Sequence, residues 1–133
     1  MTKPTTVWVN VCFDILHRGH LELLNYAATL ADRLVVGIDS DQKVAADKGP
    51  SRPYNSARDR KYMLKSLRAV DTVVIFETPS KLTECKKNLG PDFMVVGSDW
   101  RGKTIVGGEY AKEIKFFDRV GDYSTTNILG NVR

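Results

Sequence analysis

Cysteine and histidine are nearly missing from this chain, with two of each among 133 residues. Cys12 and Cys85 are far apart and form no CxxC pair, which argues against a disulfide framework and a cysteine-built zinc site. Reduced thiols are expected. No apolar run approaches the ~20 residues of a membrane-spanning helix, so no membrane partner is expected. The opening MTKPTTVWVNV lacks the cleavage pattern of a secretory signal, and a cytoplasmic protein is the expectation. The glycine fingerprint of dinucleotide-binding folds and the P-loop pattern are also missing. The net charge is +4 without a dense Lys/Arg block, so nucleic acid is not expected as a partner. Two readings of that charge stay open: a solvated surface with a surplus of lysine, or a pocket that gathers positive charge for a phosphate-rich small molecule.

What is present is a regular alternation. Hydrophobic residues at 42% and charged residues at 27% are ordinary for a globular chain, and the length fits one domain, 1–133, with its own core. The runs Val7–Val11, Leu34–Ile38, Thr72–Phe76 and Phe93–Val96 are β-branched or aromatic and almost continuously apolar. Parallel strands covered on both faces read this way. Lys115–Phe117 adds a shorter fifth. Between them, Gly19–Ala31, Ser56–Ala69 and Pro79–Leu89 carry apolar residues at helical spacing, and Gly90-Pro91 forms a stop. Ser124-Thr125-Thr126 offers caps for a last short helix. The order predicts an α/β fold: a Rossmann-like, doubly wound parallel sheet of about five strands with helices on both faces. The connection Asp39–Asn55, with Gly49, Pro50 and Pro53, is expected to be a long functional loop.

Both histidines fall within FDILHRGHLELL, Phe13 to Leu24. They stand three residues apart around Gly19, where the first strand gives way to the first helix. That spacing puts His17 and His20 on one side of the emerging helix. Gly19 lets a ligand come close to the backbone, and the free N–H groups of a helix N-terminus favour an anion such as phosphate. Burial of both in the core is the ordinary alternative, but two histidines beside a glycine at such a turn fit it poorly. A zinc site would need further ligands from carboxylates.

With these residues in place, the chain resembles the HxGH nucleotidyltransferases, in particular the cytidylyltransferase-like group. The first signature is Phe13-Asp14-Ile15-Leu16-His17-x-Gly19-His20. Ser40-Asp41, Arg60, Arg68-Ala69-Val70-Asp71, Val96-Gly97-Ser98-Asp99-Trp100, Arg119 and Ser124-Thr125-Thr126 follow in the family's order. Two positions depart from the pattern. Val11 stands where glycine is usual, and Asp122 takes the place of the glycine in the C-terminal signature.

The resemblance implies transfer of a nucleoside monophosphate to a phosphorylated small molecule, with release of pyrophosphate and with Mg²⁺ held mainly through phosphates. It implies His17 and His20 at the triphosphate, Lys48 at the phosphates or the acceptor, Arg119 with Ser124 and Thr125 at the β- and γ-phosphates, and Thr126 as a further nucleotide-binding residue. Cys12, Phe13, Asp14 and Gly19 would shape the nucleotide-binding turn. Gly97, Asp99 and Trp100 would frame the nucleoside, and Arg68 would serve the site or a homodimer contact. Arg68, the stretch Asp99 to Lys103 and Arg119 resemble glycerol-3-phosphate cytidylyltransferases, so CTP and a glycerol 3-phosphate-like acceptor are the leading expectation. Ser51-Arg52-Pro53 and Ile105-Val106-Gly107-Gly108-Glu109 resemble instead adenylyltransferase domains acting on heptose 1-phosphate, which makes ATP and a sugar phosphate the alternative. A non-catalytic nucleotide-binding module is a third reading, kept open by Val11 and Asp122.

Overall fold

The computed structural model describes residues 3–10, 13 and 15–118. Strands β1 (Thr6–Asn10), β2 (Arg33–Asp39), β3 (Thr72–Phe76), β4 (Phe93–Gly97) and β5 (Glu113–Phe117) pair in the order β3-β2-β1-β4-β5. Every pairing is parallel. Four helices intervene: α1 (Arg18–Ala28), α2 (Asp41–Lys48), α3 (Ala57–Lys65) and α4 (Pro79–Leu89). The architecture is the Rossmann-like α/β sheet that the alternating pattern implies.

The two-residue period of a strand sends successive side chains to opposite faces. Val7 and Val9 therefore join Leu23, Leu24 and Ala27 of α1 and Leu64 of α3 in one core. Trp8, between them, joins Leu82 of α4 and Met94 of β4 in the other. Both faces need cover, which is why the strands are apolar throughout.

Two helices end earlier than their periodicity predicts, for one shared reason. The Thr29 hydroxyl donates to the Tyr26 carbonyl at 2.6 Å, and the Ser66 hydroxyl donates to the Tyr62 carbonyl at 2.9 Å. Each turns the chain's last carbonyls toward a side chain in place of a continuing ladder. A larger correction falls on Asp39–Asn55. Half of that expected loop is α2, whose N-cap Ser40 accepts from the Lys43 N–H at 3.2 Å. Among the residues of α2 only Val44 is buried, so the helix has no apolar stripe to announce it. The expected helix at Ser124-Thr125-Thr126 lies outside the described residues.

The strand order places a topological switch between β1 and β4. From β1 the chain winds through β2 to β3 on one side, then returns to β4 on the other side of β1. Val9 is level with Val95, so the carboxyl ends of β1 and β4 open together into the crevice where such sheets take ligands.

Candidate functional site

The histidine turn occupies one lip of this crevice. His17 is the N-cap of α1 in extended conformation, and His20 lies in the first helical turn. Their imidazoles stack with centroids 3.8 Å apart and planes inclined by 19°. Phe13, buried and at φ 51°, sets its ring edge-on to His20 at 4.8 Å. A left-handed conformation is unfavourable for a phenylalanine, by about 1–2 kcal/mol. Strain at this turn is offset by burial of the ring, which in turn fixes His20.

The electrostatics follow from that packing. Burial, and next the neighbouring His17, push the His20 pKa down to about 3. His20 is therefore neutral in the physiological range. Its Nδ1 accepts a long bond from the His17 backbone N–H at 3.4 Å. The proton of the neutral ring then belongs on Nε2, which makes His20 a hydrogen-bond donor at that atom.

An arm on either side completes the crevice. On the β2–β3 side, Asp41 joins α2 to α3. Its Oδ1 accepts from the Ala57 N–H at 2.7 Å and from Arg60 Nη2 at 3.0 Å, while Arg60 Nε donates to the Asn55 carbonyl at 3.1 Å. Arg60 is fully buried and ion-paired. On the β4–β5 side, the segment after β4 turns through a 3₁₀ helix at Ser98–Trp100 and a second at Gly108–Tyr110. A Cβ at Gly97 would lie 2.6 Å from Asp99 Oδ1, so a side chain there would displace that carboxylate. Arg101 rests over the Phe116 ring at 5.1 Å, and Lys103 lies 5.9 Å from the Trp100 ring centroid.

The fold thus gathers Phe13, His17, Gly19 and His20 on one lip and Gly97, Asp99 and Trp100 at the end of the adjacent strand. Lys48 is exposed at the last position of α2, on an ordered helix where the sequence suggests a loop. Arg68 does not join them. It lies exposed in the turn before β3, at the amino edge of the sheet, where the Asp71 carboxylate accepts from the Leu34 N–H at 2.8 Å. Cys12, Asp14, Arg119, Ser124, Thr125 and Thr126, with Val11 and Asp122, lie outside the described residues. Asp41 and Arg60 are visible in the sequence as motif positions, but nothing there assigns them to one ion pair. Among the described residues no group of three or more His, Cys, Asp or Glu is placed to hold a metal ion, and no helix is long and apolar enough to cross a membrane.

Comparison with known proteins adds four findings. A family model described as cytidylyltransferase-like matches residues 8–128. The bifunctional protein HldE of Campylobacter fetus is 46% identical over 129 residues, covering 97% of this chain and 28% of that protein. HldE of Nitratiruptor is 48% identical over 129 residues, covering 96% and 27% respectively. The chain therefore spans little more than a quarter of the length of these relatives. A crystal structure of a lipopolysaccharide core biosynthesis protein from Thermoplasma volcanium shares the fold, with a TM-score of 0.65 at 21% identity, over 92% of this chain and all of the other.

Proposed function

The chain belongs to the cytidylyltransferase-like family, and from that premise we propose a nucleotidyltransferase that moves a nucleoside monophosphate from an NTP onto a phosphorylated sugar. ATP and a heptose 1-phosphate-like acceptor take precedence over CTP and glycerol 3-phosphate. Relatives 46–48% identical over nearly the whole chain are HldE proteins, which favours the adenylyltransferase resemblance over the cytidylyltransferase one.

The observation that carries the reading is the stacked histidine pair at the start of α1, with a neutral His20. Two imidazoles and the free N–H groups of a helix N-terminus suit a triphosphate. The acceptor is a phosphomonoester, already largely ionised near neutral pH because its second pKa is about 6. Its oxygen attacks the α-phosphorus, a new P–O bond forms, and the bond to the β-phosphate breaks to release pyrophosphate. No side chain need remove a proton. His20 holds its Nε2 proton and donates it as a hydrogen bond to the charge that grows on the phosphates, which is electrostatic stabilisation by a preorganised donor. His17 lies against it and limits the directions in which that ring can turn. The donor set on this turn is nitrogen, so it addresses phosphate rather than a hard cation. Mg²⁺ would be bound through the phosphates, where it neutralises their charge. Lys48, Arg119 and the Ser124-Thr125 hydroxyls belong to the same proposal as further phosphate contacts, and Arg68 to a contact with a second copy.

The test is a pyrophosphate-release panel that crosses ATP and CTP with heptose 1-phosphate and glycerol 3-phosphate. Release with ATP and the sugar phosphate is expected. Preference for CTP with glycerol 3-phosphate would restore the other acceptor. A rise in Tm with nucleotide but no turnover on any acceptor would make this a binding module. His20→Ala should lower kcat by roughly 10²–10³, the size found when one oxyanion-type donor is removed, with secondary structure retained. Near wild-type turnover in that variant would take His20 out of the mechanism.

A further inference from the structure

The β4–β5 arm is tied down from behind by a residue that no phosphate chemistry uses. Lys86, on α4, is 2% exposed. Its Nζ donates to the carbonyl of Val106 across the second core. The stem of the same side chain runs beneath Gly107. A Cβ at Gly107 would lie 2.7 Å from Lys86 Cδ and 3.4 Å from its Cβ. Gly107 also sits at φ 73° and starts the 3₁₀ helix Gly108–Tyr110. A positive φ and a lysine stem packed against the backbone both call for glycine there.

The consequences reach the crevice through one continuous segment. From Gly97 the chain runs through Asp99, Trp100, Arg101 and Lys103 before it meets the Lys86 anchor. Short turns stiffen it along the way: Arg101 N–H to Ser98 carbonyl at 3.2 Å, Lys103 N–H to Trp100 carbonyl at 3.1 Å, and Gly108 N–H to Ile105 carbonyl at 3.0 Å. Ile105 packs on the Trp8–Met94 core. Both ends of the segment are therefore held, one by β4 and the other by a buried ammonium.

We propose that Lys86 is a positioning residue for the nucleoside side of the site, setting where Asp99 and Trp100 stand by anchoring Val106 and Gly107 from α4. A buried lysine is a costly anchor in terms of fold stability, and a methionine would fill the same slot. Burial lowers the Lys86 pKa to about 8, and Glu109 on the second 3₁₀ helix raises it. The ammonium holds the carbonyl of Val106 in place, and an apolar side chain in the same slot would release it.

This inference rests on the nucleotidyltransferase reading for its kinetic arm, and a second arm is independent of it. Lys86→Met keeps the stem volume and removes the donor. The nucleotide KM should rise about tenfold with kcat within about twofold, the size expected from losing one charge-assisted hydrogen bond's worth of ordering. Iodide quenching of tryptophan fluorescence, without substrate, reads the segment directly, since Trp100 is 46% exposed and Trp8 only 1%. Quenching should increase in the variant. Gly107→Ala pushes the same segment off its anchor from the other side and should change both readouts in the same direction. It decides the matter if Lys86→Met does not fold. Unchanged KM and unchanged quenching in a folded variant would overturn the proposal. Absence of pyrophosphate release from the wild type with any nucleotide would defeat the activity assignment, and the quenching arm would still judge the anchor.

Discussion

The two arms of the crevice each rest on a buried cation, and they hold it in different ways. Arg60 has a carboxylate and a carbonyl within 3.1 Å, and Asp41 also takes the Ala57 N–H that opens α3. Lys86 has a carbonyl and only the more distant influence of Glu109. The guanidinium, planar and always charged, suits a fixed clamp with several acceptors. The ammonium, a point charge with no carboxylate at its Nζ among the described residues, keeps its proton less firmly, as its pKa near 8 records. A buried charge with a counter-charge joins two helices, while one with only a carbonyl pins a single strand of chain.

The largest effect expected from this contrast is on the clamp. Asp41→Ala removes a carboxylate paired with the fully buried Arg60 and the acceptor of the Ala57 N–H. Urea denaturation should show a loss of about 2 kcal/mol, since the buried guanidinium and the Ala57 N–H each lose a hydrogen bond to a half-exposed carboxylate. A loss below about 1 kcal/mol would place this pair with weak surface salt bridges.

The histidine turn between the arms supplies the next effect, because its partly buried base has no counter-charge among the described residues. The folded pKa of His20, about 3, is below the unfolded value of 6.5. The unfolded chain therefore binds the extra proton between those values, and stability falls as the pH drops through that window. From pH 7 to pH 5 the His20 contribution is at most about 2 kcal/mol, and His20→Gln should flatten that part of the stability curve. An unaltered acid slope in the variant would show that His20 is solvated.

The smallest effect belongs to the anchor. Lys86→Met should leave stability at pH 7 within about 1 kcal/mol of wild type, because a lost hydrogen bond and a relieved buried charge oppose one another. The folded pKa, about 8, is below the unfolded 10.5, so the unfolded chain again holds more protons and stability rises with pH. Between pH 7.5 and 9 that rise is about 1 kcal/mol and should be absent from the variant. If Lys86→Met costs as much as Asp41→Ala, the two arms are held alike after all.

Much of this was legible before folding. Strand β3 and helix α4 run as their sequence patterns predict, Thr72–Phe76 and Pro79–Leu89. A continuous β-branched run has few alternatives, and Thr78, Pro79 and Gly90 mark both ends of α4. The pairing of His17 with His20 was equally plain, since three residues on a helix are neighbours by geometry. Helix α2 was hidden because a mostly exposed helix has no apolar period. Arg68 reads as a site residue beside its motif neighbours, yet a strand's length of sheet separates it from the histidines.

Sequence by itself determined the alternation of strands and helices, the parallel sheet and the histidine turn, because each depends on local periodicity and neighbouring residues. Tertiary structure alone decided which distant groups meet. Asp41 finds Arg60 across 19 residues because the chain after α2 folds back into α3, and Lys86 finds Val106 across 20 because β4 carries the chain through the sheet between them. It also decided the charge of His20, since desolvation depends on what packs around a ring and not on what precedes it in the chain.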